Sequence, residues 1–513
     1  MKKLSIALLI LVLSLLLLAP AQAREGSLRI LYVNDFHGFA EPYQPPGSQE
    51  QLGGAAYLAA AVKQRRQEKP SLLLAAGDMI QGNSWANLFQ GKSSIFLMNL
   101  MHFDAMVVGN HEVDFGQEVL KKRMAAARFP VLGANVEGFK DGLKPYVIKD
   151  IQGLKVAVIG VVTPDTPQAT HPRNVGGLKF LPPAASVEKY LPELTQKADL
   201  VVVLSHLGFD ADRNLAAQVP GIGVIVGGHS HTKLLEPAVV GGTIIVQAWE
   251  HAKALGVLDL QVEDGKIKKF SGRLEMIKPA QGRADKAVQA LVKKYAARVN
   301  AVLGEKIGET AVDLDGEHVR ARETNLGDFM ADILRQTAGA DAAIINGGGI
   351  RAGIPKGAIT MKNIYTVLPF DNYLVAIKLT GKQVREALEH GLSGLEEGAG
   401  RFPQVSGLSF TYSRQAPAGS RVKEIMIGGQ SLDPQKEYVV ATNDFMAAGG
   451  DGYQAFGEAL QSSRDYVCVG GMLKGEKLAY NDAGHWLRDV VGDYVRRQKT
   501  VVPQVEGRIK EVD

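Results

Sequence analysis

Six short apolar runs set the first constraint on this chain. "LRILYV", "SLLLAAG", "AMVVG", "KVAVIGVV", "LVVVLSH" and "GVIVGGH" fall between Leu28 and His229. Each is about strand length and rich in Val, Ile and Leu, with no polar alternation. Strands of that kind are covered on both faces, as in sheets flanked by helices. "GGAAYLAAAVKQRRQEK" and "FGQEVLKKRMAAARF" read as the intervening helices. The class is α/β.

What ends the runs carries the chemistry. "LYVNDFHG" supplies Asp35 and His37, and "LLLAAGD" supplies Asp78. "MVVGNHE" supplies Asn110 and His111, "VVVLSH" His206, and "VIVGGHSH" His229 and His231. Ligands of open α/β sheets gather at the carboxyl ends of the strands. Five of the eleven histidines therefore aim at one place, with two aspartates and one asparagine. Any one of them alone reads as a cap or a satisfied core side chain. Together they read as a metal centre for divalent Zn, Mn, Fe, Co or Mg, with more donors than one ion needs and no thiolate among them. Two ions bridged by one carboxylate would use them all. Paired ions clamp the attacking and leaving oxygens of a phosphoryl transfer, which suits phosphate monoesters, among the slowest uncatalysed hydrolyses.

The ordered set D-x-H, G-D, G-N-H-E, a lone His and G-H-x-H resembles the calcineurin-like metallophosphoesterases. "NDFHG", "GNHEVDFG" and "GGHSHT" resemble the 5′-nucleotidase branch in particular. The resemblance implies that Asp35, His37 and His231 hold one metal and that Asn110, His206 and His229 hold the other, with Asp78 between them. Many members carry Gln where this chain has His231. His111 and Asp114 are implied as a catalytic dyad. The carboxylate would orient the imidazole and favour its cation, which then stabilises the phosphoryl group or protonates the leaving oxygen. Val113 stands where Phe is common.

Beyond about Glu305 come further strands ("DAAIING", "NYLVAIKL", "EYVVATN") and helices ("GDFMADILRQTAG", "GKQVREALEHGL"). Four stretches stand out: "RARETNLGDF", "NGGGIRAGI", "LPFDN" and "NDFMAAGGDGY". Taken singly, they are tight turns, core filler or surface arginines. Taken as a set, glycines let the backbone approach a ligand, arginines fork onto phosphate and two phenylalanines sandwich a base. These stretches resemble the C-terminal domain of the same enzymes. The resemblance implies that Phe370 and Phe445 stack on the base, touching only it. Asp451 holds the ribose, and Arg320, Arg322, Arg351, Asn346 and the Gly348 backbone lie near the phosphates. Asn110 also faces the substrate. Gly316 stands where some members that accept diphosphate-linked substrates carry an additional Arg, and its absence weakens binding of UDP-sugars.

A chain of 513 residues is too long for one ordinary domain. The amphipathic stretch Arg283 to Gly304, after the loop "IKPAQG", reads as the connector and the expected hinge. The resulting divisions are a secretory signal at 1–23, a metallophosphoesterase α/β/β/α sandwich at 24–280, a linker helix at 281–304 and an α/β nucleotide-binding domain at 305–513. The signal is read from Lys2, Lys3, the apolar run to Leu18 and the small residues Ala21 and Ala23. Its removal takes the net charge from +4 to +2, too little for nucleic-acid binding. Cys468 is the only cysteine, so no intrachain disulfide forms. The expected protein is a periplasmic or extracellular monomer without a membrane anchor, acting on nucleoside 5′-monophosphates and, within the family's range, on 2′,3′-cyclic nucleotides or UDP-sugars. Two rival readings remain: a thiosulfate-ester hydrolase of the same superfamily, and a non-catalytic nucleotide-binding surface protein.

Overall fold

The Val/Ile/Leu runs become strands buried on both faces, in a computed structural model that describes residues 25–44, 50–139, 142–171, 174–469 and 472–512. The segment read as a secretory signal lies outside them. Among the described residues the N-terminal domain holds two six-stranded sheets. The strands of these two sheets are β1 (Glu25–Val33), β2 (Ser71–Ala75), β3 (Ala105–Val107), β4 (Val131–Leu132), β5 (Tyr146–Ile151), β6 (Leu154–Val162), β7 (Leu200–His206), β8 (Val224–Gly227), β9 (Ala238–Val240), β10 (Thr243–Gln247), β11 (Ala254–Glu263) and β12 (Lys266–Met276). The orders are β12-β11-β1-β2-β3-β4 and β9-β10-β8-β7-β6-β5. β1 to β4 pair in parallel, as do β6, β7, β8 and β10, whereas β11 runs antiparallel to β1 and β12, and the edge strands β5 and β9 are antiparallel to their neighbours. The six strands legible in the sequence are β1, β2, β3, β6, β7 and β8.

Period-two geometry divides each strand between two cores. Leu28, Ile30, Leu72, Leu74, Val202, Leu204, Val224 and Val226 fill the space between the sheets. Leu31, Leu73 and Met106 point instead to the helices α1 (Ala55–Glu68) and α2 (Gln117–Ala126). Ile159, Val201, Val203 and Ile225 meet α3 (Pro183–Lys197) and α4 (Phe209–Gln218). The layers run α/β/β/α.

Helix α5 (Lys286–Leu303) begins at Asp285, whose side chain accepts from the N–H groups of Ala287 and Val288. It is no free connector. Val288, Val292 and Tyr295 belong to the core over the first sheet, and Val299 and Leu303 to the core of the second domain. Its apolar stripe serves both.

The C-terminal domain is built on a five-stranded sheet of β13 (Ala342–Asn346), β14 (Tyr373–Thr380), β15 (Pro403–Ser406), β16 (Glu437–Asn443) and β17 (Leu478–Trp486), in the order β15-β13-β16-β14-β17. Helix α6 (Asn325–Ala338) packs on one face of it and α7 (Gly381–Gly391) on the other. β13 and β16 are parallel and β14 is antiparallel to β16, so the ends of the first two and the start of the third share one edge. The domains touch there. Asn87 Nδ2 donates to the Pro369 carbonyl at 2.8 Å, and Lys362 Nζ to Glu41 Oε2 at 2.6 Å.

Leu74 is fully buried between the two sheets. Leu74→Ala should cost about 2–5 kcal/mol, from lost transfer energy and the cavity left behind. Urea unfolding followed by far-UV circular dichroism should show the N-terminal domain melting earlier.

Candidate metal centre and adjoining cleft

The site sits where the carboxyl ends of parallel strands from both sheets converge. β1 leads into Asp35 and His37, β2 into Asp78, and β3 into Asn110 and His111. β7 ends on His206, β8 leads into His229 and His231, and β10 into Glu250. Two groups of donors form. Asp35, His37 and His231 make one, and Asp78, His206 and His229 the other, with the ligand atoms within each group no more than 4.8 Å apart. Asn110 Oδ1 lies 3.2 Å from His206 Nε2 and completes the second group. Asp78 stands between them. Its Oδ2 is 3.2 Å from His206 Nε2 and 3.8 Å from His37 Nε2.

The donor chemistry fits a pair of divalent cations. His37 Nδ1 donates to the Gln81 carbonyl at 2.9 Å, and His206 Nδ1 to the Ala76 carbonyl at 2.7 Å. His231 Nδ1 is bound by Glu250. In all three rings Nδ1 is taken up by an acceptor, so Nε2 faces inward, as in metal-ligating histidines, and is the nitrogen a cation would bind in place of a proton. His37 Nε2 and His231 Nε2 are 3.3 Å apart. That matches two nitrogens about 2.0–2.1 Å from one tetrahedral ion, which lie roughly 3.4 Å apart.

The local backbone is forced. Asp35, His37, Asp78, His229 and His231 have φ of 49°, 48°, 55°, 76° and 52°. Side-chain-bearing residues seldom occupy this left-handed region, at about 1–3 kcal/mol each. Two buried side chains to which the sequence reading gave no role hold it in place. Glu112 Oε1 accepts from the N–H of Met79 at 2.8 Å and of Ile80 at 3.2 Å. Its Oε2 accepts from Asp78 at 2.8 Å and Gly109 at 2.6 Å. One carboxylate thus cradles the Asp78 turn and ties it to the Asn110 turn. Asn34 does the same for the loop after β10, accepting from the Ala248 N–H at 2.7 Å and donating to the Trp249 carbonyl. Glu112 is in the motif "GNHE", but its partners come from a loop more than thirty residues away. The close approach also explains Gly109, where a Cβ would lie 2.1 Å from Asp78 Oδ1.

The charges answer to this packing. Burial works against the Asp78 carboxylate, yet His206, His111 and His37 hold it well below its ordinary range. Burial likewise opposes the His206 imidazolium, and Asp78 raises it to about 10. His229 is pushed down to about 3 by burial and by His206, so its ring stays neutral. The His111–Asp114 pair forms, with Nδ1 2.7 Å from Asp114 Oδ2. Burial opposes the His111 charge, but Asp114 and Asp78 raise it above the usual imidazole value. Asp114 is fixed in turn by the Thr170 hydroxyl at 2.5 Å and, through its carbonyl, by Asn174 at 2.8 Å.

The centre opens into a cleft of about 750 Å³ shared by both domains, within the usual size of a ligand pocket. Asp78, Asn110, His111, Asp114, His229 and His231 line one side, and Arg320, Asn346, Gly348, Arg351, Phe370, Phe445 and Asp451 the other. Asp451, itself left-handed at φ 53°, accepts from Asn346 Nδ2 at 2.6 Å, and its carbonyl accepts from His390 Nε2 at 2.7 Å. Arg351 Nη2 reaches within 3.3 Å of His37 Nε2.

Two expectations need correction. Arg322 does not line the cleft. Its side chain is 62% exposed and bonds Asp315 Oδ2 at 3.2 Å. Arg320, two residues earlier, does line it. Phe370 does not await a base alone, since its ring lies 5.6 Å from that of His111. At Gly316, a Cβ would fall 2.3 Å from the Ala352 carbonyl, so this backbone has no room for an arginine there.

Fold and site define a two-domain, metal-dependent phosphoesterase. The calcineurin-like phosphoesterase family model matches residues 28–233, and that of the 5′-nucleotidase C-terminal domain matches 306–458. The chain is 34% identical to the trifunctional nucleotide phosphoesterase protein YfkN of Bacillus subtilis over 96% of its own length, but spans only 36% of that protein. It is 30% identical to the human 5′-nucleotidase, covering 98% of this chain and 94% of that one. The crystal structure of a 5′-nucleotidase precursor from Thermus thermophilus superposes with a TM-score of 0.86 at 35% identity, covering 95% of this chain and all of the other. The chain belongs to the 5′-nucleotidase family of calcineurin-like phosphoesterases, metal-dependent hydrolases of phosphoric monoesters.

Glu112→Gln should orphan two of the four buried N–H donors that Glu112 accepts. At about 1–3 kcal/mol each, the metal-free protein should lose about 2–6 kcal/mol. Equilibrium urea unfolding measures it, and an unchanged midpoint would refute the cradle.

Proposed function

We propose that the protein hydrolyses nucleoside 5′-monophosphates to nucleoside and phosphate. One observation carries the reading: a doubled imidazole–carboxylate centre and the Phe370/Phe445/Asp451 pocket open into the same cleft. The names of the relatives, 5′-nucleotidase and nucleotide phosphoesterase, support it. Residues 24–280 are taken as the catalytic unit, 305–513 as the nucleotide unit and 281–304 as the helix between them.

Asp35, His37 and His231 would hold one divalent ion, and Asn110, His206 and His229 the other, with Asp78 shared. When bound, the pair supplies the Lewis acidity that activates the attacking water and neutralises charge on the phosphoryl oxygens. The rest falls to side chains. Asp114 fixes His111 Nδ1 and leaves Nε2 for the substrate. Nε2 then donates to the phosphoryl group or passes a proton to the departing 5′-oxygen as the P–O bond breaks. Arg351 and Arg320 orient the phosphate. Phe445 and Phe370 enclose the base, and Asp451 accepts from the ribose hydroxyls. With Gly316 closed to an arginine, a monophosphate suits the cleft better than a UDP-sugar.

The segment 1–23 supports export to the periplasm or the cell exterior. Among the described residues, no helix is long and apolar enough to cross a membrane.

Two experiments test the assignment. His111→Ala should lower kcat by about 10²–10⁴-fold, as for a general acid or transition-state donor. Both metals should remain by elemental analysis, and loss of a metal would make His111 a ligand. Phe445→Ala should raise KM for AMP and spare bis-p-nitrophenyl phosphate, which has no base. Equal losses on both, with the metals retained, would place the nucleoside elsewhere. Phe445 is the better probe of the pair, because Phe370 also packs on His111.

A further inference from the structure

His37 and His206 present Nε2 to the metal centre by donating Nδ1–H to backbone carbonyls. His231 does so against a side chain, the Glu250 carboxylate. A carbonyl offers a partial charge, whereas a carboxylate offers a whole one and raises the ligand's basicity. The carboxylate is itself clamped. Lys253 Nζ donates to Glu250 Oε1 at 2.8 Å, with the lysine side chain only 5% exposed. The ammonium also lies 4.7 Å from the Trp249 ring centre and 5.4 Å from that of Tyr43. Lysines are almost never buried unless paired, so Glu250 and Lys253 form a unit.

The backbone around them is committed to the same end. Trp249, His251 and Ala252 have φ of 64°, 55° and 55°. Such residues persist only where their surroundings over-determine them. Asn34 grips the loop from one side, and the His251 N–H donates to the Asp35 carbonyl at 2.8 Å. The loop is therefore fastened to the strand end that carries Asp35, whose Oδ1 is 3.3 Å from His231 Nε2. Among the described residues, the hydrogen bonds and ion pairs of Glu250 run to His231, Lys253 and His251, and none reaches His206, His229 or Asn110. The grouping of His231, Glu250 and His251 is not read as a third cation site, because both carboxylate oxygens of Glu250 are already engaged, Oε2 by His231 Nδ1 and Oε1 by Lys253 Nζ.

We propose that Glu250, clamped by Lys253, is a positioning residue for the Asp35/His37/His231 site. It locks His231 with the proton on Nδ1 and strengthens Nε2 as a donor, and so sets the affinity of that site alone. The inference rests on the two-site reading above.

Calorimetric titration of the metal-free protein with Mn²⁺ separates the outcomes. The wild type should take up two ions. Glu250→Gln keeps the shape and an acceptor but loses the charge. It should leave one ion unchanged and weaken the other by about 10–100-fold, the usual effect of removing an outer partner of a metal ligand. Lys253→Met should weaken the same ion. His231→Gln should too, and adding Glu250→Gln to it should then change little, because the two act as one unit. Equal affinities in Glu250→Gln and wild type would overturn the proposal. So would equal weakening of both ions, or a full Glu250→Gln effect in the His231→Gln background, since each would mean a general structural role. A wild type that binds fewer than two ions would overturn the two-site reading and this inference with it.

Discussion

Asp78 is the residue on which the rest of the arrangement depends. A fully buried carboxylate with an imidazole nitrogen 3.2 Å away on one side and 3.8 Å away on the other cannot be justified by packing. Charge taken out of water is retained only where it is paired or coordinates a metal. Asp78 brings the two donor groups together, and the fold is bent to put it there. Its backbone is left-handed, its N–H is held by Glu112, and its Oδ1 accepts from the His111 N–H at 3.0 Å. The two sheets make this feasible. Parallel strands of both end at the same edge, so donors far apart in sequence arrive as neighbours.

The second domain completes the site instead of lying beside it. Its own sheet edge, where the ends of β13 and β16 meet the start of β14, faces the metal centre across one cleft. Arg351 reaches His37, Phe370 lies against His111, and His171 Nε2 stands 3.4 Å from Asp444 Oδ2. These contacts put Arg351, Phe370 and the other cleft-lining residues of the second domain close to the two donor groups. Helix α5, buried in both cores, fixes the relation between the halves through one apolar stripe. The donor groups and the opposite wall of the cleft therefore sit on different domains but answer to the same packing.

How far the chain could be read before its structure was known varies from residue to residue. Strands β1, β2, β3, β6, β7 and β8 were legible because both their faces are apolar. The edge strand β12 was not, because its residues are largely exposed and mixed with lysine and glutamate. Asp35, His37, Asp78, Asn110, His206, His229 and His231 could be singled out as candidates because each lies at, or within four residues of, the end of a strand. Glu112, Asn34 and Glu250 were not. A carboxylate whose partners are backbone N–H groups of a distant loop leaves no pattern in its own neighbourhood. Arg320 and Arg322 were indistinguishable in sequence, because which of two arginines flanking one alanine faces inward is set by the turn of the loop.

The sequence by itself determined the class of the fold, the family and the candidates for a donor set, because apolar runs and polar residues placed at strand ends are local properties of the chain. Only the tertiary structure decided which side chains hold those donors in position, which arginine faces the cleft, and that Phe370 meets His111. Those outcomes depend on approaches between segments tens to hundreds of residues apart. No local pattern encodes such an approach, since it is set by how two sheets, one shared helix and a second domain close around the same buried charge.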